Sequence, residues 1–182
     1  MKQYVVSLLA ALLCISCAAS LPYGIDYPLT EQMFRSRDGV FRGRIPRGWF
    51  SSTEDTLIPA VVAWLVKDDL SASIGIKELT LDRLSTSRVE KEGLELLAHI
   101  SAGLHRSEGA EVSASPKSFE MKGTRFCSYE VSTGGRFMRI VVFTARGRYY
   151  ECDAVPVKSP GSAGEITRMF TAQQTLLSSL SF

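Results

Sequence analysis

Two periods alternate along this chain. Apolar positions that recur every second residue mark strands. Those that recur every three or four mark helices, because side chains alternate across a pleated strand but return to one helix face after about 3.6 residues. The first alternating stretch surrounds Arg37, Asp38 and Gly39, a turn whose residues tolerate positive φ, and it predicts a hairpin running into Phe41 and Ile45. Pro46 and Gly48 break it, since proline cannot donate to a ladder and glycine permits a sharp reversal. Residues 60–66 form an almost unbroken apolar run, as expected of a central strand covered on both faces, with a short buried helix as the alternative. Residues 71–81 alternate through Ile74, Ile76 and Leu79 and predict its neighbour.

Helical spacing follows. Ser87 and Glu90 have the interval of a capping box, and Val89, Gly93, Leu97, Ile100 and Leu104 trace one apolar stripe that stops near Gly109. Residues 118–121, 125–133, 136–145 and 148–157 then read as strands divided by Gly123, Gly134-Gly135 and Arg146-Gly147, an antiparallel meander. Ser162 and Glu165 repeat the capping interval, and Ile166, Met169, Phe170, Gln173, Leu177 and Leu180 make a second helical stripe. Strands followed by a helix, twice, predict an α+β fold in which helices pack on a mostly antiparallel sheet.

Before the first strand, Lys2, an apolar run from Tyr4 to Ile15 and then small residues give the order of a secretory signal over residues 1–16. The run is too short to span a bilayer, which takes about 20 apolar residues. It resembles a bacterial lipoprotein signal in which Ile15, Ser16 and Cys17 match, so that Cys17 is lipidated and becomes the new N-terminus. Ordinary cleavage at the small residues Ser16, Cys17 and Ala18 is the alternative. Ala18 after the cysteine resembles the sorting rule that sends lipoproteins to the outer membrane, facing the periplasm. Residues 17–30 then read as the lipidated N-terminus and a tether, and residues 31–182 as one domain. The expected partners are the membrane, through the lipid, and an envelope protein.

The segment Phe41-Arg42-Gly43-Arg44-Ile45-Pro46-Arg47-Gly48-Trp49 resembles a signature near the start of PsbP-like proteins, relatives of an extrinsic photosystem II protein. Arg148, Tyr149, Tyr150 and Glu151 after a glycine turn, with a helix closing on Ser178 to Phe182, are similar to that family's last strand and helix. The resemblance implies an α/β/α sandwich over residues 31–182, also used by a Ran-binding nuclear transport factor. It also implies an assembly or interaction role without catalysis. The expectation is therefore a non-catalytic envelope lipoprotein.

Composition narrows this further. The 182 residues are 45% hydrophobic and 22% charged, with a formal net charge of +2, which suits one globular domain and gives no bulk attraction for nucleic acid. Arginine supplies 14 of the 21 cations, and Arg35, Arg37, Arg42, Arg44 and Arg47 crowd the first hairpin. Their planar forks suit carboxylate and phosphate, so the cluster is either a patch for an acidic partner, lipid headgroups or lipopolysaccharide, or a solvated ladder. Trp49 and Trp64 are core residues or line a pocket between sheet and helix, the feature of a small-ligand or lipid carrier.

No metal, cofactor or catalytic set is expected. His99 and His105, six residues apart, fall on opposite sides of a helix and read as surface or helix-end residues. Asp68 and Asp69 read as a turn, and Ser51-Ser52-Thr53 and Ser178-Ser179 lack the glycines and base that activate a nucleophile. Export suggests a disulfide between Cys127 and Cys152, but counting outward from the turns places them on either side of Val142, about 9–10 Å apart, beyond the span of a disulfide, so both read as buried thiols with a bridge as the alternative. The same register gathers Cys127, Tyr129, Val131, Met138, Ile140, Val142, Tyr150, Cys152 and Ala154 on the core face. Arg125, Arg136, Arg139, Arg148, Glu130, Glu151 and Asp153 then lie on a wet face.

Overall fold

The structure, a computed structural model, describes residues 21–52, 60–158 and 162–182. In chain order its elements are β1 Leu29–Arg35, β2 Arg42–Pro46, β3 Trp49–Ser51, β4 Val61–Lys67, β5 Ala72–Leu79, α1 Arg83–Glu92, α2 Leu94–Ser107, β6 Glu111–Met121, β7 Thr124–Thr133, β8 Arg136–Ala145, β9 Arg148–Pro156 and α3 Ala163–Ser178. β1 and β2 form a two-stranded sheet, and the other strands form one antiparallel sheet in the order β3-β4-β5-β9-β8-β7-β6. Tight turns join β6 to β9 in sequence. β9 then pairs with β5 from Ala72↔Pro156 to Leu79↔Tyr149, so the strands before and after α1 and α2 share one ladder.

Both faces of that sheet are covered, and each carries a core. On one face Val89 of α1 and Leu97, Ala98 and Ala102 of α2 meet Cys127, Tyr129, Val131, Ile140 and Val142. On the other, Phe34, Phe41 and Ile45 of the hairpin and Phe170, Leu176 and Leu177 of α3 meet Leu65, Ile74, Ile76, Phe126, Phe143 and Tyr150. Each large apolar side chain so buried contributes roughly 1.5–3 kcal/mol, which is what holds the helical layers and the hairpin to the sheet. The result is the expected α+β sandwich of helix, sheet and helix. α3 begins with the capping box its spacing predicts: Ser162 Oγ accepts from Glu165 N at 3.3 Å and Glu165 Oε2 accepts from Ser162 N at 3.2 Å.

The first helical stretch departs from its sequence pattern. Asp82, not Ser87, caps it, accepting from Ser85 N at 2.8 Å, so the helix is already under way when Ser87 is reached. Gly93 holds φ at 89°, a left-handed value that glycine adopts cheaply, and this divides the stripe into α1 and α2. The break rotates α2 so that Leu97, Ala98, Ser101 and Ala102 face inward and Leu104 is 58% exposed.

The meander differs by one residue. The β8–β9 turn holds only Arg146 and Gly147, with Ala145 opposite Arg148, so Val142 faces Cys127 on one side as expected but Glu151 on the other, while Cys152 faces Val141. A slip of one exchanges faces. Tyr150, Cys152 and Ala154 therefore lie under α3 with the hairpin core, and Glu151 and Asp153 share the α2 side with Val142 and Ile140. The wet ladder is not one either: Arg139 is 1% exposed and Glu151 2% exposed, each beneath a helix, whereas Arg125, Arg136 and Arg148 do face solvent. Cys127 and Cys152 are free, buried and on opposite faces.

Two further differences concern the ends of the fold. β4 is fully covered on one face only; α2 packs over β6, β7 and β8, which leaves Trp64 half-buried on the open side. Residues 21–30, expected as tether, pack on the domain. Leu21, Tyr23 and Tyr27 join the core on the α3 side, the Tyr23 ring meets Phe170 edge-on at 5.2 Å, and Tyr27 N donates to Thr175 Oγ1 at 3.2 Å.

Candidate functional site

The five hairpin arginines separate into different environments. Phe34 and Gly43 face the core, so Arg35 and Arg42, their chain neighbours, face out and stand directly opposite each other across β1 and β2. Like charges opposed in this way destabilise a strand pair. Arg44 is neutralised by Glu31 at 2.6 Å and donates to the Thr30 carbonyl at 2.9 Å. Arg37, whose backbone N–H bonds Val62 O at 2.7 Å, lines a different depression beside Asp38 and Glu78. Arg47 lies in the turn before β3, with its N–H on the Pro28 carbonyl at 2.8 Å.

A residue that sequence reading passed over completes the outward set. Arg35, Arg42 and Arg146 line one depression of about 410 Å³, together with Met33 and Phe182, which are 50% and 41% exposed. Arg146 sits in the β8–β9 turn at φ 48°, a left-handed value that side chains other than Asn, Asp and Gly adopt at a cost of about 1–2 kcal/mol. Arg42 Nε donates to Ser181 Oγ at 3.2 Å, and among the described residues none of the three guanidiniums has a carboxylate partner. Three uncompensated cations beside two exposed apolar side chains make an amphipathic, anion-seeking surface. The available signal was Arg146 standing where a turn glycine or asparagine is preferred.

The tryptophans do not share a pocket. Trp49 forms part of the floor of a groove of about 460 Å³ between the β4–β5 turn, the end of β9 and the first turns of α3. Ile166 and Met169 complete that floor, and Lys67, Lys158 and Arg168 stand at its rim. Trp64 lies on the opposite face of the sheet, opposite Gly75 on β5. Cys17 falls outside the described residues, as does Thr53 of the serine-rich stretch.

The strongest concentration of polar groups lies elsewhere again, between α2 and the sheet. Glu151 of β9 accepts from Lys77 Nζ of β5 at 2.8 Å and meets His105 Nε2 of α2 at 3.3 Å. Ser101 Oγ, one helical turn earlier, donates to the other carboxylate oxygen, and the Tyr129 hydroxyl closes on Ser101 Oγ at 2.6 Å. Burial pushes the Glu151 carboxyl up, but the His105 hydrogen bond and the Lys77 charge outweigh it and hold the group at about 2. The same hydrogen bond raises His105 above its ordinary value, and burial raises Asp153. A hydroxyl, imidazole and carboxylate in contact invite comparison with an acyl-transfer triad, yet the wiring differs. Ser101 donates to the acid and not to the histidine, so no base takes its proton, and at 2% exposure it is out of reach of a substrate. The cluster can fasten α2 to β5 and β9. His105, expected at the surface or at a helix end, lies in the last turn of α2 and is one of its members.

A second buried cation sits on the α3 face. Arg139 donates to Gln173 Oε1 at 3.0 Å and Gln174 Oε1 at 2.5 Å, and its guanidinium lies 4.9 Å from the Tyr23 ring and 5.6 Å from that of Phe119. Burial without a carboxylate in contact lowers it to about 10. Tyr23 closes this site from outside and donates its hydroxyl to Glu130 at 2.7 Å.

No protein-family model and no curated protein sequence matches the chain. Solved structures do. The solution structure of cyanobacterial PsbP, CyanoP, from Synechocystis sp. PCC 6803 aligns over 91% of this chain and 96% of its own, with 15% identity and a TM-score of 0.54. The Saccharomyces cerevisiae Ran-binding protein Mog1p aligns over 84% and 95%, with 10% identity and a TM-score of 0.56. LpqN of Mycobacterium tuberculosis, described as involved in cell envelope biogenesis, aligns over 88% of both chains with 11% identity and a TM-score of 0.44. With nearly the whole length of CyanoP matched, this chain has the PsbP-like fold.

Proposed function

We propose that the chain is a non-catalytic interaction module of the cell envelope, exported, held at the outer membrane facing the periplasm by a lipid on Cys17, and docked to an acidic protein partner through Arg35, Arg42 and Arg146. The observation that carries the reading is electrostatic. Two arginines oppose each other across a two-stranded sheet, a like-charge pair that costs stability in the free protein and is relieved when carboxylates arrive, and a third stands beside them at a left-handed turn position. Met33 and Phe182 give the same surface an apolar centre. A protein-binding role is in keeping with the fold, since Mog1p is named as Ran-binding, and the signal-like residues 1–16 supply the route out of the cell.

Capture from crosslinked whole cells tests it. The wild-type chain is expected to bring down one partner in fixed proportion, and the Arg35→Ala/Arg42→Ala variant to lose it. Equal recovery by both, or recovery of membrane lipid alone, overturns the reading. Mass spectrometry of the N-terminus checks the anchor separately: a diacylated or triacylated Cys17 is expected, and an unmodified N-terminus beyond Cys17 removes that part.

A further inference from the structure

The groove floored by Trp49 is a second site, independent of the arginine surface. We infer that it binds a single-chain amphiphile with an anionic head, a carboxylate or a phosphate ester. Its volume, about 460 Å³, lies within the range of small-molecule sites, roughly 300–1,000 Å³. Its floor is apolar: Trp49 and Met169 are 5% and 6% exposed, and Ile166, Ala72 and Pro156 continue the surface. Tyr27 walls one side, its hydroxyl donating to Arg47 O at 3.3 Å and accepting from Trp49 Nε1 at 3.4 Å, so the indole's only donor is satisfied and its ring is left for apolar contact.

The rim decides the sign of the head group. It carries Lys67, Lys158 and Arg168 against Asp69 and Glu165. Both carboxylates are already engaged: Asp69 takes Lys67 Nζ at 2.9 Å and Ser71 N at 2.9 Å, and Glu165 accepts the Ser162 N–H in the capping box. Lys67 is engaged with Asp69. Lys158 Nζ donates to one backbone carbonyl, Asp69 O at 2.8 Å, and keeps two further protons. Arg168 is exposed and has no ion pair among the described residues. Two cations with donors to spare thus stand at the mouth of an apolar trough, which fits a chain laid along the floor with its anion between them.

The protein carries its own reporter. Of its two tryptophans only Trp49 touches the groove, so the Trp64→Phe variant isolates its emission. Dodecanoate and dodecyl phosphate are titrated below their micelle-forming concentrations, with dodecanol and dodecyltrimethylammonium as neutral and cationic counterparts. Both anions are expected to give a saturable change in Trp49 emission, at least about tenfold tighter than the cationic counterpart, and the tighter of the two names the head group. Lys158→Ala/Arg168→Ala in the same background should weaken the anions about tenfold and leave dodecanol unchanged, which also shows that the variant is folded. Absence of saturable binding by the anions, equal binding of the cation, or undiminished anion binding by the double variant overturns the site. Arg35→Ala/Arg42→Ala should not alter any of these titrations, so this proposal and the docking surface fail separately.

Discussion

Glu151 shows how much one side chain can tie together. It is 2% exposed and receives bonds from a lysine on β5 and from a serine and a histidine on α2. Removing one member of a buried charge set leaves the others unpaired in low dielectric, typically at a cost of about 3–5 kcal/mol. Glu151→Ala is expected to lower the free energy of urea unfolding by about that amount; a loss under about 1 kcal/mol counts against the cluster as a fastening. The pH dependence has a definite sign. His105 is raised by its bond to Glu151, so its contribution is complete below the ordinary imidazole value of 6.5 and disappears as pH rises through the higher folded value. Glu151 is held at about 2, so its contribution is complete above the ordinary carboxyl value of 4.5 and disappears as pH falls towards 2. The urea midpoint should therefore be highest near about pH 5–6. His105→Gln should flatten the alkaline limb only, and an alkaline fall that persists in that variant refutes the assignment. Arg146 offers the reverse trade: Arg146→Asn suits the left-handed turn and should raise the free energy of urea unfolding by about 0.5–1 kcal/mol while reducing partner capture.

At the scale of elements, what the sequence made legible was whatever depends on local spacing. The β1–β2 hairpin, β5, the meander and α3 with its capping box all follow from turn residues and periodicity that lie within about twenty residues of one another. Three features escaped. The β8–β9 turn is two residues long and not three, and that single residue moved Glu151 to the α2 side and Cys152 away from Cys127. Gly93 read as a small member of a stripe, though it ends one helix and begins another. The Lys77, His105 and Glu151 cluster joins two strands and a helix far apart in the chain, so no local interval records it. Two measurements bear on these elements. Alkylation without reductant should modify neither Cys127, whose thiol burial pushes up to about 11, nor Cys152 in the folded protein, and both after unfolding; a linked Cys127–Cys152 peptide would contradict the register. Gly43→Ala would place a methyl 2.7 Å from Phe34 Cε1 and 2.9 Å from Leu180 Cδ2, so it should destabilise by about 1–3 kcal/mol by prising the hairpin off the end of α3.

Over the whole molecule, the sheet is sealed by two different layers, and the N-terminal residues belong to one of them. Tyr23 lies over Arg139, bonds Glu130 and packs on Phe170, while Tyr27 bonds Thr175 and walls the Trp49 groove. Read as sequence, residues 17–30 were a spacer because they lack a period; Tyr23 and Tyr27 find partners on α3, the sheet and the turn before β3, which no local pattern reveals. Tyr23→Ala should destabilise by about 2 kcal/mol as the buried guanidinium loses its aromatic lid, whereas Tyr23→Phe keeps the ring and should retain most of that; equal losses would show that the hydroxyl alone matters. That docking bears on the proposed anchor. If Cys17 carries a lipid, a leash of four peptide steps, about 14 Å at full stretch, separates it from Leu21 on the core, and the domain would then be held close to the bilayer by that corner.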